Sequence, residues 1–333
     1  MTLKATITGL GKYIPSKVLT NEDLEEMVDT SDEWITSRTG IKERRIAGDD
    51  EPTSKLALNA AEEALEDAGI KSEELDLILV ATVTPDMFFP ATACILQNKL
   101  GADKAATFDL EAGCSGFVYA LGTASQFIET GMYENILVVG AETLSKITDW
   151  EDRSTCVLFG DGAGAAVLQP TEKEGDGLLA YELGAQGSGG ESLYIPGGGS
   201  LHPSSKKTVE NKLHYIKMEG NQVFKFAVKK MGEASLDVLK KAEIEPDNVD
   251  LFIPHQANTR IINAAAKRLD LESEKVFVNL PKYGNTSSAS VPIALSEARD
   301  ENLINQGDII VLVAFGAGLT WASTVIKWNE GDK

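Results

Sequence analysis

The run Leu75-Asp76-Leu77-Ile78-Leu79-Val80-Ala81-Thr82 is almost unbroken in its apolar side chains, and Val249-Asp250-Leu251-Phe252-Ile253-Pro254-His255 repeats the pattern in the second half of the chain. A strand half-covered by protein alternates apolar and polar residues. A strand that does not alternate is covered on both faces, as in layered α/β proteins. Amphipathic helices precede the two runs, Ser54 to Ala68 and Gly232 to Ala242. Each run is followed by a helix (Ala91 to Lys99; Thr259 to Leu269) and a short strand (Ala105 to Leu110; Val276 to Asn279). A small-residue turn, a longer helix and a last apolar strand complete each half, the last strands being Ile136 to Gly140 and Ile309 to Val313. This order predicts an internally duplicated α/β fold with mostly parallel sheets and two pseudo-symmetric βαβαβ-type halves. The boundary is expected in the polar, glycine-rich region between Pro170 and Lys212, giving halves 1–172 and 173–333.

At 333 residues, with 43% hydrophobic and 25% charged residues, the composition is that of a soluble globular protein. Three scattered cysteines provide neither a disulfide framework nor paired metal-ligand spacing, which favours a reducing cytoplasm. The start of the chain lacks the basic end and apolar core of a secretory leader, and no apolar run is long enough to span a bilayer. A net charge of −20 argues against broad nucleic-acid or membrane surfaces. Positive charge nonetheless gathers at Lys225, Lys229 and Lys230, and again at Arg260, Lys267 and Arg268. Such clusters are either solvated helix faces or a docking site for one acidic partner.

The chemistry-bearing segment is Ala112-Gly113-Cys114-Ser115-Gly116-Phe117, where a strand gives way to a helix. Backbone N–H groups and the helix dipole at such a junction are expected to favour a thiolate, and flanking glycines let a carbonyl approach. Cys94, on an apolar helical pattern, and Cys156, in a strand-like run, read instead as buried core residues. His255 stands at the C-terminal end of a strand, where open α/β sheets place ligands, although hydrogen-bonded structural histidines also occur there. Asn285, in Gly284-Asn285-Thr286, reads alone as a turn or cap residue. Its loop is the second half's counterpart of the Cys114 loop, so pseudo-symmetry brings the two together. Phe315-Gly316-Ala317-Gly318 adds a glycine turn whose N–H groups suit an oxyanion.

Taken together, these segments resemble the β-ketoacyl-acyl carrier protein synthase III family, the initiating condensing enzymes of bacterial type II fatty-acid synthesis. So do Asp29-Thr30-Ser31-Asp32-Glu33-Trp34-Ile35, Arg38-Thr39-Gly40-Ile41 and Phe159-Gly160-Asp161-Gly162-Ala163-Gly164-Ala165. The resemblance implies a thiolase-like α-β-α-β-α architecture and a cytoplasmic homodimer that uses acyl-CoA and malonyl-acyl carrier protein as substrates, with no cofactor. It implies Cys114 as nucleophile, His255 and Asn285 as donors to an enolate, and N–H groups of Cys114 and Ala317 as the oxyanion hole. Thr30, Trp34, Arg38 and Arg153 would hold the nucleotide end of CoA, and Gly220, Phe224, Ala257, Asn258 and Ile261 its pantetheine arm. Lys225, Arg260, Lys267 and Arg268 would dock the carrier protein, while Phe89 would close the acyl pocket of a neighbouring subunit or serve as plain core. Ala317 stands where many relatives have glycine, and the stretch from Gly187 to Tyr215 is long for the family. A papain-like peptidase shares the Cys, His, Asn order but not the duplicated pattern. A related acyltransferase of secondary metabolism, which moves acyl groups without decarboxylation, is the nearer rival.

Overall fold

The computed structural model describes residues 3–329. Strands β1 (Lys4–Tyr13), β2 (Leu77–Ala81), β3 (Ala106–Leu110), β4 (Ile136–Thr143) and β5 (Asp161–Thr171) form one sheet in the order β1-β5-β4-β2-β3. Strands β6 (Gly177–Ala185), β7 (Leu251–Pro254), β8 (Ile309–Gly316) and β9 (Thr320–Lys327) form a second, in the order β6-β9-β8-β7. Written from β1 and from β6, the two sheets run alike: two antiparallel pairings, then a parallel one. In the first sheet β3 adds a further parallel pairing to β2. Its counterpart, expected as a strand from Val276 to Asn279, is a single parallel bridge between Phe252 and Val276.

The expectation of mostly parallel sheets is therefore corrected to mixed sheets. Three residues, Ala317–Leu319, separate β8 from β9, and so short a link can only join antiparallel strands. The strands read as continuously apolar because both faces of each sheet are covered, whatever their direction.

The covering helices are α2 (Thr53–Ala68) and α3 (Thr92–Leu100) outside the first sheet, and α5 (Gly220–Lys241) and α6 (Thr259–Arg268) outside the second. Between the sheets lie α4 (Gly116–Glu129) and α7 (Ser290–Asp300), which share one core with both. The result is five layers, α-β-α-β-α. A helix packed between two sheets has no solvent face, and Ser290 to Ala298 are accordingly all buried. Ahead of these layers, α1 (Asp32–Thr39) packs beside α6. No helix among the described residues is long and apolar enough to cross a membrane.

Two cysteine expectations change. Cys94 is exposed, because α3 turns Thr92, Ala93 and Leu96 to the core and Cys94 to the other side. Cys156 is buried as expected, but in a turn and not a strand.

The seam between the halves is tight. A Cβ on Gly140 of β4 would lie 2.5 Å from the carbonyl oxygen of Ser288, just ahead of α7. Neither backbone can yield without moving a layer, so Gly140→Ala is expected to lower stability by about 1–3 kcal/mol in urea unfolding. Gly187, with open space around its Cβ position, should accept alanine within about 0.5 kcal/mol.

Candidate active site

Between β3 and α4, residues Gly113–Ser115 form one tight turn that carries Cys114. Gly113 adopts φ +56°, and a Cβ there would lie 2.5 Å from the Ala317 nitrogen. Conversely, a Cβ on Gly316 would lie 2.3 Å from the Cys114 nitrogen. The two turns thus touch backbone to backbone, which only glycine permits. Hydroxyls stitch them together. Ser115 Oγ donates to the Ala112 carbonyl at 2.7 Å, and Thr320 Oγ1 lies within 2.8 Å of that carbonyl and 3.1 Å of the Ala317 carbonyl. Ala317 keeps the backbone N–H that the glycine of relatives would offer.

Burial pushes the Cys114 thiol up to about 12, with negative Glu142 adding to the rise and a Ser287 hydrogen bond opposing it. The sequence argument favoured a thiolate on account of the helix end. In the structure the sulfur is buried, and its desolvation raises the thiol instead. At neutral pH the resting group is a thiol.

His255 follows β7 and is buried, with its backbone N–H donating to Val313 at 2.7 Å. Its Nδ1 lies 2.5 Å from Ser290 Oγ, while its buried Nε2 has no partner among the described residues. Ser290 Oγ also accepts from the Gln256 N–H at 3.4 Å, and the tautomer in which the hydroxyl donates its proton to Nδ1 is taken as the working arrangement. That assignment makes Nε2 the protonated nitrogen, a donor held ready for a ligand. Burial also pulls the ring down to about 3, so it is neutral at working pH.

Asn285 is pinned on both sides. Its backbone N–H donates to Leu158 at 2.9 Å and its carbonyl accepts from Gly160 at 3.0 Å. Its Oδ1 accepts from the Ser287 N–H at 2.9 Å, which orients the amide so that Nδ2 faces away from that bond. Cys114, His255 and Asn285 therefore meet through one segment, residues 285–290. Ser287 reaches the thiol, Ser290 holds the imidazole, and Asn285 belongs to the segment itself.

A strip of predicted binding residues runs along α1, α5 and α6. Trp34 is flanked by the guanidinium groups of Arg38 at 5.1 Å and Arg153 at 5.0 Å. Arg153 also donates to the Asp29 carbonyl at 2.7 Å. An aromatic base slipped between Trp34 and Arg153 needs more room than 5.0 Å, so Arg153 must swing outward to make the expected sandwich. Thr30 presents a buried Oγ1 without a partner beside this pair. Asn258 caps α6 by accepting from the Arg260 N–H and donates through Nδ2 to the Arg38 carbonyl, so its polar atoms serve structure. Ala257 is half-buried, Ile261 is buried, and Gly220 begins α5. Phe224 stacks under Arg260 at 5.1 Å, joining the pantetheine residues to the basic ones. Lys225, Arg260, Lys267 and Arg268 are all exposed, and Arg268 also pairs with Glu233 at 3.5 Å. Phe89 is 84% exposed beside exposed Phe88, which excludes its reading as plain core.

The comparisons with known proteins are consistent with one another. The model of 3-oxoacyl-[acyl-carrier-protein (ACP)] synthase III matches residues 108–187, and that of its C-terminal part matches 239–328. The β-ketoacyl-[acyl-carrier-protein] synthase III of Caldanaerobacter subterraneus is 63% identical over 328 residues, covering 98% of this chain and 99% of the relative. The chain belongs to the 3-oxoacyl-[acyl-carrier-protein] synthase III family. The crystal structure of the synthase III from Aquifex aeolicus has a TM-score of 0.90 at 52% identity, covering 97% of this chain and all 100% of that one. A priming β-ketosynthase from the R1128 polyketide pathway has a TM-score of 0.91 at 35% identity, covering 98% of this chain and 96% of that one. Membership makes the protein a condensing acyltransferase of the thiolase fold.

Sequence reasoning missed one residue of this synthase-family site. Glu142, at the end of β4, is fully buried and surrounded by donors. Its carboxylate accepts from Thr82 Oγ1, Val83 N, Thr84 Oγ1, Ser287 Oγ and Ser288 Oγ at 2.7–3.3 Å. The signal was present, an acid directly after the wholly apolar run Ile136 to Ala141.

A pH prediction follows from His255. An unfolded imidazole takes a proton near 6.5, while the folded one refuses it down to about 3. The unfolded state therefore gains protons as pH falls through that window, and folding stability drops with it. Denaturant titrations between about pH 7 and 4 should show His255→Gln losing less stability on acidification than the parent. Equal slopes would mean that the ring protonates in place.

Proposed function

We propose that this chain condenses a short acyl group, taken from acyl-CoA, with malonyl-acyl carrier protein to give a β-ketoacyl-carrier protein, the initiating step of type II fatty-acid synthesis. The observation that carries this reading is the convergence on residues 285–290 of a buried thiol, a neutral imidazole with a spare Nε2–H, and an oriented amide.

In the first half-reaction Cys114 attacks the thioester carbonyl, and the N–H groups of Cys114 and Ala317 receive the developing oxyanion. The CoA thiol leaves and the acyl group stays on sulfur, a ping-pong sequence. In the second, loss of carbon dioxide from the malonyl group develops negative charge on the thioester oxygen. That charge calls for hydrogen-bond donors and not a base, and His255 Nε2–H and Asn285 Nδ2–H are of that kind. The carbanion then attacks the acyl-cysteine. A low-dielectric pocket strengthens both donors and assists release of neutral carbon dioxide from a charged carboxylate. The chemistry calls for no resident cofactor.

Thr30, Trp34, Arg38 and Arg153 are proposed to hold the nucleotide end of CoA, with Gly220, Phe224, Ala257, Asn258 and Ile261 along its arm. Lys225, Arg260, Lys267 and Arg268 are the exposed basic residues proposed to receive the acidic carrier protein, Arg268 while also paired with Glu233. A homodimer belongs to the same reading. Strand β3 is an open edge with exposed Phe108, near the exposed Met87, Phe88 and Phe89 loop, and an uncovered apolar edge of this kind invites a second copy. Light scattering should give the mass of two chains, and Phe108→Arg should shift it toward one. A parent of single-chain mass would overturn the assembly.

Intact-protein mass spectrometry tests the reaction itself. Incubation with acetyl-CoA should add one acyl mass to the parent and to Asn285→Ala, but none to a folded Cys114→Ala. Malonyl-carrier protein should then discharge the parent, leave Asn285→Ala loaded, and discharge Arg260→Glu more slowly than the parent. A parent that loads but is never discharged would point to the acyltransferase chemistry of secondary metabolism.

A further inference from the structure

The thiol and the mechanism disagree over a proton. A thiol pushed up to about 12 must lose its proton to become a nucleophile, and the two obvious bases are unsuited. His255 has Nδ1 committed to Ser290, and the condensation needs its Nε2 as a donor. Asn285 is not a base.

Glu142 and Ser287 are placed to resolve this. Ser287 has a backbone φ of +50°, a left-handed conformation unusual for a residue with a side chain. Strain of this kind persists where the surroundings over-determine it, often at a functional site. Here it turns one hydroxyl toward two groups at once: Cys114, and Glu142 Oε1 at 3.0 Å. Thr84 Oγ1 holds Oε2 at 2.7 Å and Val83 N spans both oxygens at 3.1 and 3.3 Å, so Oε1 is the oxygen that faces the Ser287 hydroxyl and is in line to receive its proton.

The surroundings of Oε1 accommodate both protonation states. Ser288 Oγ lies 2.8 Å from Oε1 and 2.8 Å from the Ala81 carbonyl, yet it has a single proton. With Glu142 ionised, that proton points to Oε1. With Glu142 protonated, the acid donates to Ser288 Oγ, which turns its own proton to Ala81. No hydrogen bond is lost in the exchange.

We propose that Ser287 and Glu142 form a proton relay for Cys114, Glu142 being the terminal acceptor. The inference rests on the reading of Cys114 as nucleophile. As sulfur bonds to the acyl carbon, its S–H bond breaks and the proton passes to Ser287 Oγ, while the Ser287 hydroxyl proton passes to Glu142 Oε1. When the carbon–sulfur bond to CoA breaks, the path reverses and the departing CoA sulfur receives the proton. The negative charge moves from Glu142 to the substrate oxyanion as the proton arrives and returns to Glu142 when the departing CoA sulfur takes the proton, so site and bound substrate together keep a single charge throughout. Burial raises the affinity of Glu142 for a proton, with its hydrogen bonds opposing, so the carboxylate is a stronger base here than in water. The titratable groups facing the path are Cys114 on its turn, Glu142 on β4, and His255, which meets the 285–290 segment through Ser290. Asp161 on β5 is engaged with Ser145 and Ala47 instead. In the relay Ser287 is the first proton acceptor, from its place between the thiol and Glu142, and Glu142 acts through it as a positioning and accepting group.

The test separates the two half-reactions. Single-turnover loading of Cys114 from acetyl-CoA is followed by quenched mass spectrometry across about pH 6–9 in the parent, Glu142→Gln, Ser287→Ala and Ser287→Gly. Loading in the variants should fall by about 10²–10⁴ near neutrality, and should rise with pH as hydroxide replaces the relay. Condensation from acyl-enzyme loaded beforehand at alkaline pH should fall far less. Undiminished loading in the serine variants, or equal losses in both half-reactions, overturns the relay. Should Glu142→Gln fail to fold, the two serine variants, which keep the carboxylate, decide the matter. A parent that never loads overturns the nucleophile reading and the relay together; a parent that loads beside undiminished variants overturns the relay alone.

Discussion

Burying the Glu142 carboxylate strips it of water, so its oxygens must find every donor within the protein. Those donors come from both halves: Thr82, Val83 and Thr84 after β2, and Ser287 and Ser288 ahead of α7. A buried acceptor left unmatched costs about 1–3 kcal/mol, more when it is charged. The halves can therefore approach in one register only, the one that brings the 285–290 segment to the end of β4. Gly140 lets the backbones come close enough, and Gly113 with Gly316 does the same between the cysteine turn and the Ala317 turn. The site is a product of how the two layers meet, and no single half contains it.

Desolvation then sets the chemistry of every group at the seam. It drives Cys114 up, His255 down and Glu142 up, each toward its uncharged form. A site of neutral donors suits a reaction in which charge appears transiently on substrate oxygens, since fixed dipoles in a dry pocket need little reorganisation. The same dryness makes isolated thiolate formation unfavourable. A pocket suited to the proposed decarboxylation is poor at ionising its own nucleophile, and the proposed relay through Ser287 to Glu142 would reconcile the two demands.

The duplication was legible because apolar strands and helix spacing repeat in order; it set the Cys114 and Asn285 loops at equivalent positions of the two halves, while His255 was read separately from its place at a strand end. Strand direction was not legible. Burial on both faces yields the same apolar run in parallel and antiparallel strands, so the pattern reports coverage and not pairing. The Val276 to Asn279 strand shrank to one bridge because strand-like composition does not ensure a neighbour along its length. Cys94 misled for a related reason: α3 buries one face only, and its period leaves Cys94 on the other. Glu142 escaped notice because its meaning lies in donors far away in sequence. One acid after an apolar strand reads as the strand's end until Ser287 and Ser288 are seen against it.

The acidic character of the chain bears on the binding strip in the same physical way. With a net charge of −20, most of the surface repels an acidic partner, so a few exposed cations dominate where one can settle. Lys225 and Arg260 stand at the facing ends of α5 and α6, and Arg260 is steadied by its stacking on Phe224. That stacking sets the cation beside the residues assigned to the pantetheine arm. On the proposed assignment, an acidic carrier held there would present its prosthetic arm to those residues. The order of events in a two-substrate reaction then needs no moving domain. On the proposed assignment, a small CoA thioester and a carrier-borne thioester would enter by the same strip, and only the second would bring a protein large enough to use the basic residues around it.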